Sequence, residues 1–117
     1  MAAAETRLQP AAESSPPPLV LDVERKRFRV DGAWVDLASR DLLWRLLIRL
    51  AASHVAGSPV PMDELVRSLW PDESLVGTSG RDRIYNAVST LRRLGLSEIL
   101  RGSRAGYSLQ RELRYER

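Results

Sequence analysis

The residues best able to make specific polar contacts fall in two clusters of this 117-residue chain. The first runs over residues 81–94, where Ile84, Val88 and Leu91 recur at helical spacing. A helix that turns these three inward points Asp82, Asn86, Ser89 and Arg93 outward, with Arg83 and Thr90 on one flank and Tyr85 and Arg92 on the other. Arg81 stands at its start. Nearly every outward side chain can hydrogen-bond, and the Glu/Lys pairs of an ordinary solvated helix are missing. This composition suits the edges of base pairs in a major groove. Arg can bind guanine through two parallel bonds, Asn can bind adenine in the same way, and Thr offers a hydroxyl and a methyl. The second cluster is Arg101, Ser103 and Arg104, in a turn bounded by Gly102 and Gly106. A basic hairpin tip of this kind suits phosphates or a narrow minor groove. Tyr107 alternates with Leu109 and is expected to pack rather than to stack on a ligand.

Charge is distributed unevenly. Nine arginines face four acidic residues after residue 80, whereas nine basic and eleven acidic residues precede it. An excess of this sort is the footprint of a phosphate-backbone binder; the plain alternative is a solvated basic surface. Lys26 is the single lysine, and Ala and Arg are abundant throughout. Coding bias alone would produce that, so placement of the arginines carries more weight than their number.

Catalysis finds little support. His54 is the only histidine, lies near a helix end, and suits a solvated or capping role. Cysteine is absent, which excludes disulfides and thiolate metal sites. No metal set, catalytic triad or phosphate loop with its lysine is present. Asp63-Glu64 and Asp72-Glu73 fit helix-dipole and loop-solvation roles. The expectation is a protein that is not an enzyme and needs no cofactor or metal. Apolar stretches are too short for a membrane span, and no signal peptide is evident, so a soluble intracellular protein is expected.

The elements that must position these residues follow from periodicity and turn chemistry. Residues 1–18 read as a flexible Pro/Ala/Ser-rich tail. Three short strands are expected at Leu19–Asp22, Arg27–Val30 and Trp34–Leu37, with Asp31-Gly32 as a hairpin turn, together an antiparallel meander. A helix over about residues 39–54 is marked by Leu42, Leu43, Leu46, Leu47 and Leu50, with Ser39 as cap. A second helix runs from about Pro61 to Trp70, and a polar loop follows. The third opens with the capping-box spacing Ser79 to Asp82 and closes at Gly95. Two strands near residues 100–101 and 107–109 make the final hairpin, leaving 111–117 as a charged C-terminal tail. The fold class is α+β.

Leu37-Ala38-Ser39-Arg40-Asp41-Leu42-Leu43, Val60-Pro61-Met62-Asp63-Glu64-Leu65, Trp70, Val88-Ser89-Thr90-Leu91-Arg92-Arg93 and Arg101-Gly102-Ser103-Arg104-Ala105-Gly106-Tyr107, in this order of elements, resemble the OmpR/PhoB-type winged helix-turn-helix. The resemblance covers about residues 19–110. It implies a bacterial-type transcription regulator that binds double-stranded DNA. The third helix, through Arg83, Asn86, Thr90 and Arg92, would read the major groove; the wing, through Arg101 and Arg104, would touch the minor groove. It further implies that residues 72–78, with Asp72, Glu73, Ser74 and Leu75 foremost, face RNA polymerase. Tandem or dimeric binding on DNA and a cytoplasmic, nucleoid-associated location go with it. The sequence departs from the family pattern in several places. Ala38 stands where a capping Thr is usual, Pro61 where Ser is common, Ala87 where a backbone-contacting His is frequent, and Thr90 where Arg is frequent. The usual receiver domain and its phosphoacceptor aspartate are not evident. A competing expectation is a winged-helix module that binds protein, with Trp34, Trp44 and Trp70 supplying apolar surface.

Overall fold

In the computed structural model, which describes residues 17–54, 58–71 and 79–116, the chain is α+β. The expected tail at residues 1–18 falls almost wholly outside the described residues. Strand β1 (Leu19–Asp22) pairs antiparallel with β2 (Arg27–Val30), which pairs with β3 (Ala33–Asp36). Asp31 and Gly32 both take positive φ, 61° and 95°. That is the backbone a two-residue hairpin turn demands, so Val30 comes to lie opposite Ala33.

Leu37 seals the start of the helical layer, and the Asp36 carboxylate accepts from the Ala38 N–H at 2.8 Å. This turn leaves Arg40, not Ser39, next to helix α1 (Asp41–His54), where its carbonyl accepts from the Trp44 N–H at 3.1 Å. The expected Ser39 cap is therefore displaced by one residue. Pro61 sits immediately before α2 (Met62–Leu69) rather than inside it. Its extended backbone turns the carbonyl toward the N–H groups of Glu64 and Leu65, at 3.0 Å each. Helix α3 spans Ser79–Leu91, and the chain then widens into a π-type turn at Arg92–Leu96, broken at Gly95, whose φ is 133°. Arg92 and Arg93 thus stand on a wider continuation of the helix rather than in it.

A hairpin follows, β4 (Leu100–Ser103) with β5 (Gly106–Leu109). Tyr107 exchanges both backbone hydrogen bonds with Val60, at 2.8 and 3.0 Å, which ties the hairpin to the segment entering α2. Gly106 makes that approach possible. Its φ is 132°, and a Cβ there would lie 2.0 Å from the Val60 carbonyl oxygen.

The C-terminal segment departs from expectation. Leu113–Glu116 form a strand, β6, parallel to β1, so the sheet has four strands in the order β3-β2-β1-β6. Its charged appearance hides the alternation that matters: Leu113 packs against the core while Arg114 is exposed. The core lies between the inner face of this sheet (Leu19, Leu21, Phe28) and the three helices (Leu46, Leu47 and Leu50 of α1, Leu65 of α2, Ile84 and Leu91 of α3). Each such side chain contributes about 1.5–3 kcal/mol through burial, enough to fix the helices against one another. Arg49 of α1 adds polar ties to α2, reaching Ser68 at 3.0 Å and Glu64 at 2.5 Å. Among the described residues no helix is long and apolar enough to cross a membrane.

Candidate nucleic-acid interface

Helix α3 buries one stripe and displays the other, as its periodicity demands. Ile84, Ala87, Val88 and Leu91 are at most 5 % exposed. Asp82, Arg83, Tyr85, Asn86 and Ser89 are exposed and Thr90 is half-buried. The Ala87 methyl belongs to the core. Arg92 and Arg93 are also exposed, so every expected contact residue on this segment reaches the surface.

Several of these side chains are held in place. The Arg93 guanidinium donates to Ser89 Oγ at 3.1 Å and to Thr90 Oγ1 at 3.4 Å, while the Thr90 hydroxyl donates to the Asn86 carbonyl at 3.0 Å. Arg92 donates to the Ser97 carbonyl at 3.3 Å. Arg81 faces Asp63 of α2 at 3.9 Å, and the Arg83 guanidinium lies 5.2 Å from the centre of the Trp70 ring. Arg81 and Arg83 therefore help hold α3 against α2, and each has that use apart from any ligand.

Two grooves join α3 to the hairpin. One, of about 420 Å³, brings Arg81 and Tyr85 beside Ser103 and Arg104. The other, of about 620 Å³, brings Ser89, Arg92 and Arg93 beside Tyr107. Tyr85 borders both. Burial pushes the Tyr107 phenol above its ordinary pKa and nearby Tyr85 adds to that, while the positive charge of Arg92 pulls it down. Tyr107 is half-buried against the core, in keeping with the packing role expected of it. A third groove, of about 520 Å³, runs along the opposite flank, where Arg40 and Asp41 face Arg83, Asn86 and Thr90. Arg101 stands exposed on β4 opposite Ser108 and lines none of these.

Among the described residues, Arg92, Arg93, Arg101 and Arg104 form no ion pair with a carboxylate. What the surface offers is therefore a set of uncompensated guanidinium groups around an amide and hydroxyls, all suited to acceptor atoms on a polyanion. Tyr85 lies on the flank where the helical spacing places it, whereas Arg40 was not expected on this surface. The approach of α1 to α3 is a tertiary fact without a local signal. The loop residues Asp72, Glu73, Ser74 and Leu75 lie outside the described residues.

The remaining candidate groups have structural uses. His54 Nδ1 donates to the Leu109 carbonyl at 3.1 Å, fastening the end of α1 to β5. Among the described residues no group of three or more His, Cys, Asp or Glu is placed to hold a metal ion. The chain matches no protein-family model and no curated protein.

Proposed function

We propose that this chain is a sequence-specific double-stranded DNA-binding protein, a transcription regulator built as an OmpR/PhoB-type winged helix-turn-helix. In this reading α2 and α3 form the helix-turn-helix, α3 enters the major groove, and the β4–β5 hairpin is the wing over the adjacent minor groove. Its role is binding, without catalysis or cofactor. The observation that carries the reading is the continuity, through Tyr85 and Tyr107, between the outward face of α3 and the arginine-bearing hairpin, where the arginines other than Arg81 and Arg83 meet no carboxylate among the described residues.

Within the site, Asn86 reads adenine, Arg92 and Arg93 hold phosphates, and Arg101 and Arg104 serve the minor-groove side. Arg81, Arg83, Ser89, Thr90 and Ser103 complete the contact set. Residues 72–75, by resemblance alone, are the segment that meets RNA polymerase, and tandem or dimeric occupancy of DNA is the corresponding assembly. The protein-binding alternative draws no support from the tryptophans. Trp44 is buried, Trp34 is covered by two arginines and Trp70 faces Arg83.

Titration of fluorescent random-sequence duplex at stepped salt concentrations tests the reading. The expected result is affinity that falls linearly with salt on logarithmic axes; no binding even at low salt removes the proposal. Sites selected from random duplexes by the parent and by Asn86→Ala should then differ at one base position, with discrimination there weakened by about 1–3 kcal/mol. Identical motifs would remove the role given to Asn86.

A further inference from the structure

The groove on the α1 side of α3 has no part in the contacts assigned so far except through Asn86, Arg83 and Thr90. Its far wall is the start of α1, where Arg40 is exposed. Among the described residues Arg40 is engaged through its backbone only: its N–H donates to the Leu37 carbonyl at 2.9 Å and its carbonyl accepts from Trp44 at 3.1 Å. The one carboxylate in this groove, Asp41, is turned toward Arg45 at 3.5 Å. Arg40 thus borders the open groove, and its guanidinium has no ion-pair partner among the described residues.

A helix with its side chains is about 10–12 Å across and the major groove is about 12 Å wide. A helix lying in it must have a sugar-phosphate strand along each flank. On the hairpin flank, Arg92 and Arg104 supply positive charge beside one strand. On the other flank the groove of about 520 Å³ would receive the second strand, and Arg40 is the cation on its outer wall.

We infer that Arg40, at the entry to α1, contacts a backbone phosphate of the DNA strand opposite the one held by the hairpin side, so that the footprint extends beyond α3 and the hairpin. The inference rests on the DNA-binding reading and adds a contact which neither the spacing of residues nor the family resemblance assigns. Because the contact is to phosphate, it contributes to affinity for all sequences alike and not to base preference.

The test is the salt dependence of binding to a random-sequence duplex for the parent, Arg40→Gln, Arg40→Lys and Lys26→Gln, the last on the turn between β1 and β2. Arg40→Gln should lower the slope of log K against log salt by about 0.9, the value of one phosphate contact on duplex DNA. Arg40→Lys should keep the parent slope, since a point charge is enough, and Lys26→Gln should also keep it. Thermal unfolding of all four should coincide, because the Arg40 side chain is exposed. A parental slope in Arg40→Gln, with the parent binding normally, overturns the Arg40 assignment alone. So does a slope loss matched by Lys26→Gln, which would mark a general charge effect. Failure of the parent to bind duplex DNA at all overturns this inference together with the reading beneath it.

Discussion

Arg27 and Arg29 on the outer face of the sheet lie 4.0 and 4.8 Å from the centre of the Trp34 ring, and they meet Asp22 at 3.0 Å and Glu116 at 3.9 Å. Arg101 and Arg104 on the hairpin have neither an aromatic face nor a carboxylate among the described residues. Both regions are rich in arginine, yet the sheet uses its charges internally and the α3–hairpin side leaves most of its own uncompensated. A count of basic residues does not separate the two. The number of charges left without a counter-charge does, because only those displace counterions from a polyanion.

The sharpest way to break this contrast is to remove the hairpin and keep the sheet. Gly106→Ala places a methyl group against the Val60 carbonyl at a backbone angle that L-residues rarely adopt. It should cost at least ~2 kcal/mol, lower the midpoint of thermal unfolding by on the order of 10 °C, and weaken duplex binding with it. A parental midpoint by circular dichroism would show that the hairpin is not anchored through Val60.

A smaller effect compares the two arginine sets directly. The double variant Arg101→Ala/Arg104→Ala should reduce the salt slope of duplex binding by up to about two. Arg27→Gln/Arg29→Gln should leave that slope alone and instead cost on the order of 1 kcal/mol of stability. Equal slopes for the two double variants would erase the distinction.

The smallest effect concerns acid. Burial works to raise the pKa of the Asp22 carboxylate, but the Arg25 N–H, the Arg27 side chain and their charges prevail and hold it below the ordinary value of 3.8. Its charged form therefore stabilises the fold above that ordinary value, and the contribution is lost as pH falls through the lowered one. Between about pH 5 and pH 3 the parent should lose thermal stability more steeply than Asp22→Asn. Parallel curves would mean that the carboxylate adds nothing to the sheet.

Much of this organisation was legible in the chain itself. Asp31-Gly32 announced the β2–β3 turn, because few residue pairs accept two positive φ angles. Ile84, Val88 and Leu91 fixed which face of α3 is outward, since a helix has no freedom once its apolar stripe is placed. Two of the departures come from contacts at long range. Leu113–Glu116 looked like a charged tail because a strand with one residue packed on the core carries little periodicity; its partner, β1, lies at the far end of the described sequence. Arg40 went unassigned because its nearness to Asn86 depends on how α1 crosses α3. The Ser39 cap failed for a local reason: the Asp36 side chain claims the preceding turn.

The parallel pairing of β1 with β6 bears on the order in which the molecule folds. Helices, hairpin and meander form from near neighbours, whereas this strand pair closes a much longer loop: Arg111 binds the Pro17 carbonyl at 2.9 Å across 94 residues of sequence. Loop closure on that scale is slow compared with local steps. The α3–hairpin surface can therefore assemble while β1 still presents an unpaired edge, with the Leu19 N–H awaiting the Glu112 carbonyl that lies 2.8 Å away in the finished fold. An open strand edge with apolar Leu19, Val20 and Leu21 behind it is a template for another chain. In the finished fold β6 covers that edge and withdraws the template.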